Sequence, residues 1–93
     1  MSERVARVGP VATWQDGVPV VNVAAARGVG TLFSQLSIKA IPDAARITAK
    51  TVYAAARERL GLDEGHARDF TAAFMCAALD EMVELRRNPP VLH

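Results

Sequence analysis

The residues EGHARDFTAAFMCAALDEMVELRR, 64–87, form the longest segment with the pattern of a single helix. Apolar residues lie on two neighbouring sides of that helix, and one of these sides carries Phe70 and Phe74. The other side carries Ala72, Met75, Cys76, Leu79, Met82 and Val83. Because a helix that is apolar nearly all round needs cover on both sides, residues 64–87 are expected to be central to the fold or to meet another subunit.

A second amphipathic helix is predicted just before this one, over residues 42–60. Pro42 suits the first turn of a helix, and small or apolar residues then recur every three or four positions. These residues are Ala45, Ala49, Val52, Ala56 and Leu60. Gly61 is typical of a helix end and Asp63 of a helix start, so the two helices should form an antiparallel pair.

Further towards the N-terminus, Asp16-Gly17 is a favoured two-residue hairpin turn between β-branched runs. It predicts four facing pairs, which are Trp14 with Pro19, Ala12 with Val21, Pro10 with Val23 and Val8 with Ala25. The hairpin is expected over about residues 5–26. Arg27-Gly28-Val29-Gly30 is then interpreted as a flexible break, or alternatively as an anion-binding turn beside Arg27. Thr31 would cap a short helix over about residues 31–40.

The expected fold is therefore α+β, with the order ββααα in a single small domain over residues 1–93 and a tail at residues 88–93. The 93 residues leave room for one core only. No apolar run approaches the length of about 18 residues that spans a bilayer, so no membrane partner is expected. The single cysteine cannot form a disulfide within the chain, which favours a cytoplasmic location.

No catalytic residue, metal ligand or cofactor is predicted, and the chain is not expected to be an enzyme. Asp63, His66 and Asp69 follow one another at three-residue steps, which suits a helix cap with two exposed neighbours better than a metal site. Cys76 lies among apolar residues and is expected to be a buried thiol.

The segment Ile47-Thr48-Ala49-Lys50-Thr51-Val52-Tyr53, followed by AAARERLGL, resembles the recognition helix of the helix-turn-helix family. The resemblance covers residues 47–62 and implies that Thr48, Lys50, Thr51 and Tyr53 face DNA. The alternative is that the same residues belong to one continuous amphipathic helix that begins near Pro42.

Charge is uneven along the chain. Residues 1–57 carry seven Lys/Arg and three acidic residues, whereas residues 58–93 carry four Lys/Arg and seven acidic residues. The leading hypothesis is a non-catalytic protein–protein interaction or regulatory module that forms a homodimer and has an unidentified protein partner. Its contact surface is expected to be the last helix, through Met75, Leu79, Met82 and Val83, or alternatively the edge of the hairpin. The alternative is a small DNA-binding transcriptional regulator. Its expected nucleic-acid contacts are Arg27, Arg46, Thr48, Lys50, Thr51, Tyr53 and Arg57.

Overall fold

The computed structural model describes residues 11–88, which form an antiparallel hairpin followed by three α-helices. The α+β class and the order ββααα are therefore confirmed. The elements are β1 (Ala12–Gln15), β2 (Val18–Val21), α1 (Val23–Ser34), a 3-10 helix (Ile38–Ala40), α2 (Ile41–Glu58) and α3 (Glu64–Arg87). No helix among these residues combines the length and the apolar character needed to cross a membrane.

The hairpin turn lies where the sequence predicts it. Asp16 and Gly17 have φ values of 54° and 78°, the left-handed conformation that a type I′ turn requires at both central positions. Two of the predicted facing pairs are confirmed, Ala12 with Val21 and Trp14 with Pro19. The strand positions predicted for Val23 and Ala25 are wrong because both residues lie in α1, and their predicted partners Pro10 and Val8 lie outside the described residues. The predicted hairpin range, about residues 5–26, is too long because β2 ends at Val21. Residues 5–10 lie outside the described part of the chain.

The first helix starts earlier than predicted. The Asn22 side chain accepts a hydrogen bond from the Ala25 backbone N–H at 3.2 Å, so α1 begins at Val23. The flexible break at residues 27–30 and the helix at residues 31–40 are therefore wrong, since α1 ends at Ser34. Thr31 does not cap a helix, because its hydroxyl donates to the Arg27 carbonyl within α1 at 3.1 Å.

The ends of α2 and α3 agree with the sequence prediction to within two residues. Gly61 has a φ of 68°, and this left-handed residue lets the Leu62 N–H donate to the Ala56 carbonyl at 3.1 Å and close the end of α2. Asp63 caps α3 as predicted, because its side chain accepts a hydrogen bond from the His66 N–H at 2.8 Å. The two helices are thus separated by a short, hydrogen-bonded connection.

Helix α3 is the centre of the fold because α1 and α2 both pack on it while touching each other little. The main core brings together side chains from the hairpin and all three α-helices. Its buried members are Ala12, Ala26, Val52, Ala56, Ala67, Phe70 and Phe74. The two phenylalanine rings thus pack with small residues of α2, as the sequence pattern predicts.

Helix α1 approaches α3 closely at Gly30. A Cβ atom there would overlap the carbonyl oxygen of Ala78 and lie 2.8 Å from the Cβ of Glu81. Past the end of α1, the Leu36 carbonyl accepts a hydrogen bond from Nη2 of Arg86 at 2.6 Å. Gly30 of α1 therefore lies beside residues 78–81 of α3, and the segment after α1 lies beside Arg86.

This contact predicts opposite effects for two glycines of the same helix. Gly30→Ala should destabilise the fold by about 2 kcal/mol, because the added methyl group overlaps the α3 backbone. Gly28→Ala, where nothing lies within 4 Å of the added atom, should stabilise the fold by up to about 1 kcal/mol through helix propensity. Urea unfolding followed by far-UV circular dichroism measures both, and equal stabilisation by the two changes would contradict the close approach at Gly30.

Candidate interaction surface

One side of α3 is buried within the fold. Ala67, Phe70, Phe74 and Ala78 are all buried, and their spacings of three and four residues place them on one side of the helix. We call this set the inner side. The other residues of α3 are exposed or half-buried.

A second line of apolar or small residues runs along the exposed side of the same helix. Its members are Ala72, Cys76, Leu79 and Val83, and we call them the outer strip. Leu79 is half-buried, the other three are exposed, and Val83 keeps 44% of its surface exposed. The successive spacings of four, three and four residues keep the strip on one side of α3. The helix therefore presents apolar surface to solvent as well as to the core.

The predicted dimer contacts lie partly in this strip. Leu79 and Val83 belong to it, whereas Met75 packs against the core and Met82 lies on a different side of the helix from the strip. Ala72 and Cys76 were not predicted as contacts. The prediction that Cys76 is buried is wrong, because its thiol-bearing side chain is exposed. The apolar neighbours of Cys76 in sequence point in other directions around the helix, so they do not cover it.

A shallow groove of about 630 Å³ lies between α2 and α3, beside the outer strip. Apolar side chains of both helices line it, together with charged groups from each. The lining residues are Ala49, Lys50, Tyr53, Arg68, Asp69, Thr71, Ala72 and Met75. Such a surface suits an apolar side chain that is accompanied by a charged one.

The predicted nucleic-acid contacts do not form one surface. Lys50 and Arg57 follow Arg46 along α2 at helical spacing, so the three exposed side chains share one side of the helix with the half-buried Tyr53. We call Arg46, Lys50 and Arg57 the basic face. Arg27 lies instead on α1, with its Nε atom 3.4 Å from the carboxylate of Glu81.

The two threonines of that prediction are also placed away from the basic face. Thr51 points to a different side of α2, where its hydroxyl donates to the Ile47 carbonyl at 3.0 Å. Thr48 is half-buried. These hydroxyl groups therefore do not extend the basic face.

The helix-turn-helix geometry is absent from residues 47–62. A recognition helix requires a turn before Ile47, but α2 is continuous from Ile41 to Glu58. Arg46 lies inside this helix, and its guanidinium pairs with Asp43 in the first turn at 2.6 Å. The alternative interpretation, one amphipathic helix from near Pro42, is the one observed.

Asp63 and His66 form a local pair at the start of α3. The His66 ring atom Nδ1 lies 2.9 Å from both carboxylate oxygens of Asp63, and it is the donor because a carboxylate can only accept. The backbone N–H of His66, and then its ring, lower the pKa of Asp63, while the hydrogen bond to Asp63 raises the pKa of His66. Within residues 11–88, no three His, Cys, Asp or Glu residues are arranged to hold a metal ion.

Comparison of the chain with known proteins found no matching family model, no matching curated protein and no matching solved structure.

The Asp63–His66 pair predicts a pH-dependent contribution to stability. The contribution of His66 is present below its unfolded pKa and is lost as pH rises through its raised folded pKa. The contribution of Asp63 is present above its unfolded pKa and is lost as pH falls through its lowered folded pKa. The pair should therefore stabilise the fold most between the ordinary pKa values of the two groups, about 3.9 and 6.5.

An NMR titration of the His66 ring should give a pKa above the ordinary histidine value. Asp63→Asn should lower that pKa, because asparagine still caps the helix but carries no charge. A ring pKa that is the same in both proteins would contradict the pairing.

Proposed function

We propose that this protein is a non-catalytic interaction module that works as a homodimer, with the outer strip of α3 as its contact surface. The observation that carries the proposal is the position of Ala72, Cys76, Leu79 and Val83. These small and apolar residues, three exposed and one half-buried, are aligned on one side of a helix whose inner side is already buried. Apolar residues that are grouped on an exposed surface, as here, support a site of protein association.

The location of the strip favours association between two copies of the chain. A straight apolar line on a long helix can pack against the same line of a second copy, because a two-fold axis brings one surface onto itself. The helix has the length for such a contact, since α3 is the longest element described. Packing of this kind adds partner atoms to a small core without changing the fold of either copy.

The wider functional assignment rests on the sequence. We infer a regulatory role with an unidentified protein partner, and a cytoplasmic location that the single cysteine favours. The non-catalytic character is likewise a prediction from the sequence.

The dimer predicts that a charge in the outer strip produces monomers. Val83→Glu should weaken self-association at least about tenfold, because a buried carboxylate would have no partner in the contact. Ile47→Glu is the matched control, since Ile47 is 61% exposed and lies on α2 away from the core. Sedimentation velocity over a dilution series measures both. A wild-type protein that stays monomeric throughout would contradict the proposed function.

A second candidate function is nucleic-acid binding through the basic face of α2. The supporting observation is that Arg46, Lys50 and Arg57 lie on one exposed side of one helix. Three cations in a line along a helix suit contacts with successive phosphates, which need no turn and no recognition helix.

This candidate predicts duplex DNA binding that weakens steeply with salt. Lys50→Glu should reduce the affinity and lower the slope of log affinity against log salt by about 1. Lys50→Arg keeps the charge and should bind as the wild type does, and Arg87→Glu makes the same change of net charge away from the basic face. Fluorescence anisotropy with labelled DNA measures these affinities, and no binding at low salt would exclude this function.

A further inference from the structure

We infer that two copies of α3 pack in opposite directions along their outer strips, with Asp69 of each copy paired to the partner's Arg86. This inference rests on the proposed self-association and adds the direction, the register and the charged contacts of the dimer. It also gives the groove between α2 and α3 an occupant, namely the last turns of the partner's α3.

The first argument is the spacing of the residues. The strip alternates steps of four and three residues, which is the seam spacing of a coiled coil. Asp69 stands three residues before Ala72, and Arg86 stands three residues after Val83, so both continue the same line. Both side chains are exposed. The apolar strip therefore has an acidic group at its N-terminal end and a basic group at its C-terminal end.

The second argument is the symmetry of this line. Its midpoint lies between Cys76 and Leu79, and the remaining positions are placed equally on either side. A two-fold axis at the midpoint brings Cys76 beside the partner's Leu79 and Ala72 beside the partner's Val83. The smaller side chain then faces the larger one at both levels, which suits close packing.

The third argument is charge, and it decides the direction. In a parallel dimer in register, Asp69 would face the partner's Asp69, and Arg86 would face the partner's Arg86, so like charges would meet at both ends of the strip. In the opposite direction, each Asp69 faces the partner's Arg86, so both ends of the strip are attractive. The Nη2 atom of Arg86 donates to the Leu36 carbonyl at 2.6 Å, and a guanidinium has further N–H groups for a carboxylate.

The fourth argument is the position of the groove. Asp69 and Ala72 both line it, so the residues that face these two positions in the dimer lie over its opening. Those residues are the partner's Arg86 and the partner's Val83. The apolar part of the groove thus receives an apolar side chain, and the carboxylate at its edge receives a guanidinium.

The decisive experiment is a charge exchange between two variants. In Asp69→Arg alone, the introduced guanidinium of each copy would face the partner's Arg86. In Arg86→Asp alone, the introduced carboxylate of each copy would face the partner's Asp69. Each variant should therefore dimerise at least about tenfold more weakly than the wild type. An equal mixture of the two should recover dimers, because every pair in the mixed dimer then has opposite charges.

The outcomes of this experiment separate the two proposals. A monomeric wild type would overturn both the proposed function and this inference. If the wild type is dimeric and both variants dimerise as well as it does, only the antiparallel arrangement would be overturned. In a parallel dimer each substitution would replace one pair of like charges by another, so dimerisation would not weaken. Two weakened variants that stay monomeric when mixed would overturn the pairing itself. Recovery of dimers in the mixture supports the pairing of Asp69 with the partner's Arg86. It also shows that the Arg86→Asp variant is folded, although this variant lacks the hydrogen bond to the Leu36 carbonyl.

Disulfide formation gives an independent test of the register. The thiol of Cys76 should lie beside position 79 of the partner, so Leu79→Cys should form disulfide-linked dimers rapidly under mild oxidation. The wild type should crosslink slowly, because its two Cys76 residues are offset along the helices. Val83→Cys is the control, with a second thiol in the same strip about one turn out of register. Rapid crosslinking of the wild type would overturn the inference.

Discussion

The packing of the inner side of α3 against both shorter helices holds the described chain together. Phe70 and Phe74 share the core with Val52 and Ala56 of α2, and with Ala26 of α1. Because α1 and α2 have little contact with each other, neither can compensate for a change in α3. The hairpin joins the same core through its first strand, so the hairpin and both shorter α-helices depend on α3. We therefore expect unfolding to be cooperative across the described residues.

Elements with strong local signals were predictable from the sequence. Asp16-Gly17 identified both the turn and the register of the hairpin, because few residue pairs adopt positive φ readily. The boundaries of α3 followed from the cap at Asp63 and from the prolines after Asn88. The first helix was not predictable in this way. Glycines usually interrupt helices, but Gly30 is required by its contact with Ala78, which becomes visible only when α1 and α3 are packed together.

The candidate surface was predictable only in part, because the size of the side chains and their spacing along α3 point to different sets of residues. Large apolar residues pointed to Leu79 and Val83, which are in the outer strip, but also to Met75, which packs against the core. The side chains of Ala72 and Cys76 are too small to stand out by size, although their spacing to Leu79 and Val83 contains the signal for a shared side. Which side of a helix meets solvent depends on where the neighbouring helices lie, and local sequence does not contain that information.

The position of the only tryptophan determines what optical spectroscopy reports on this protein. Trp14 is in β1 with 58% of its surface exposed, and it is not part of the main core. Its fluorescence is therefore already that of a largely hydrated indole in the native state. The emission maximum should shift little when the helices unfold, so a tryptophan fluorescence curve alone would not detect the unfolding transition. The absorbance and emission of this residue instead describe the hairpin, and the helical majority must be followed through the amide chromophore.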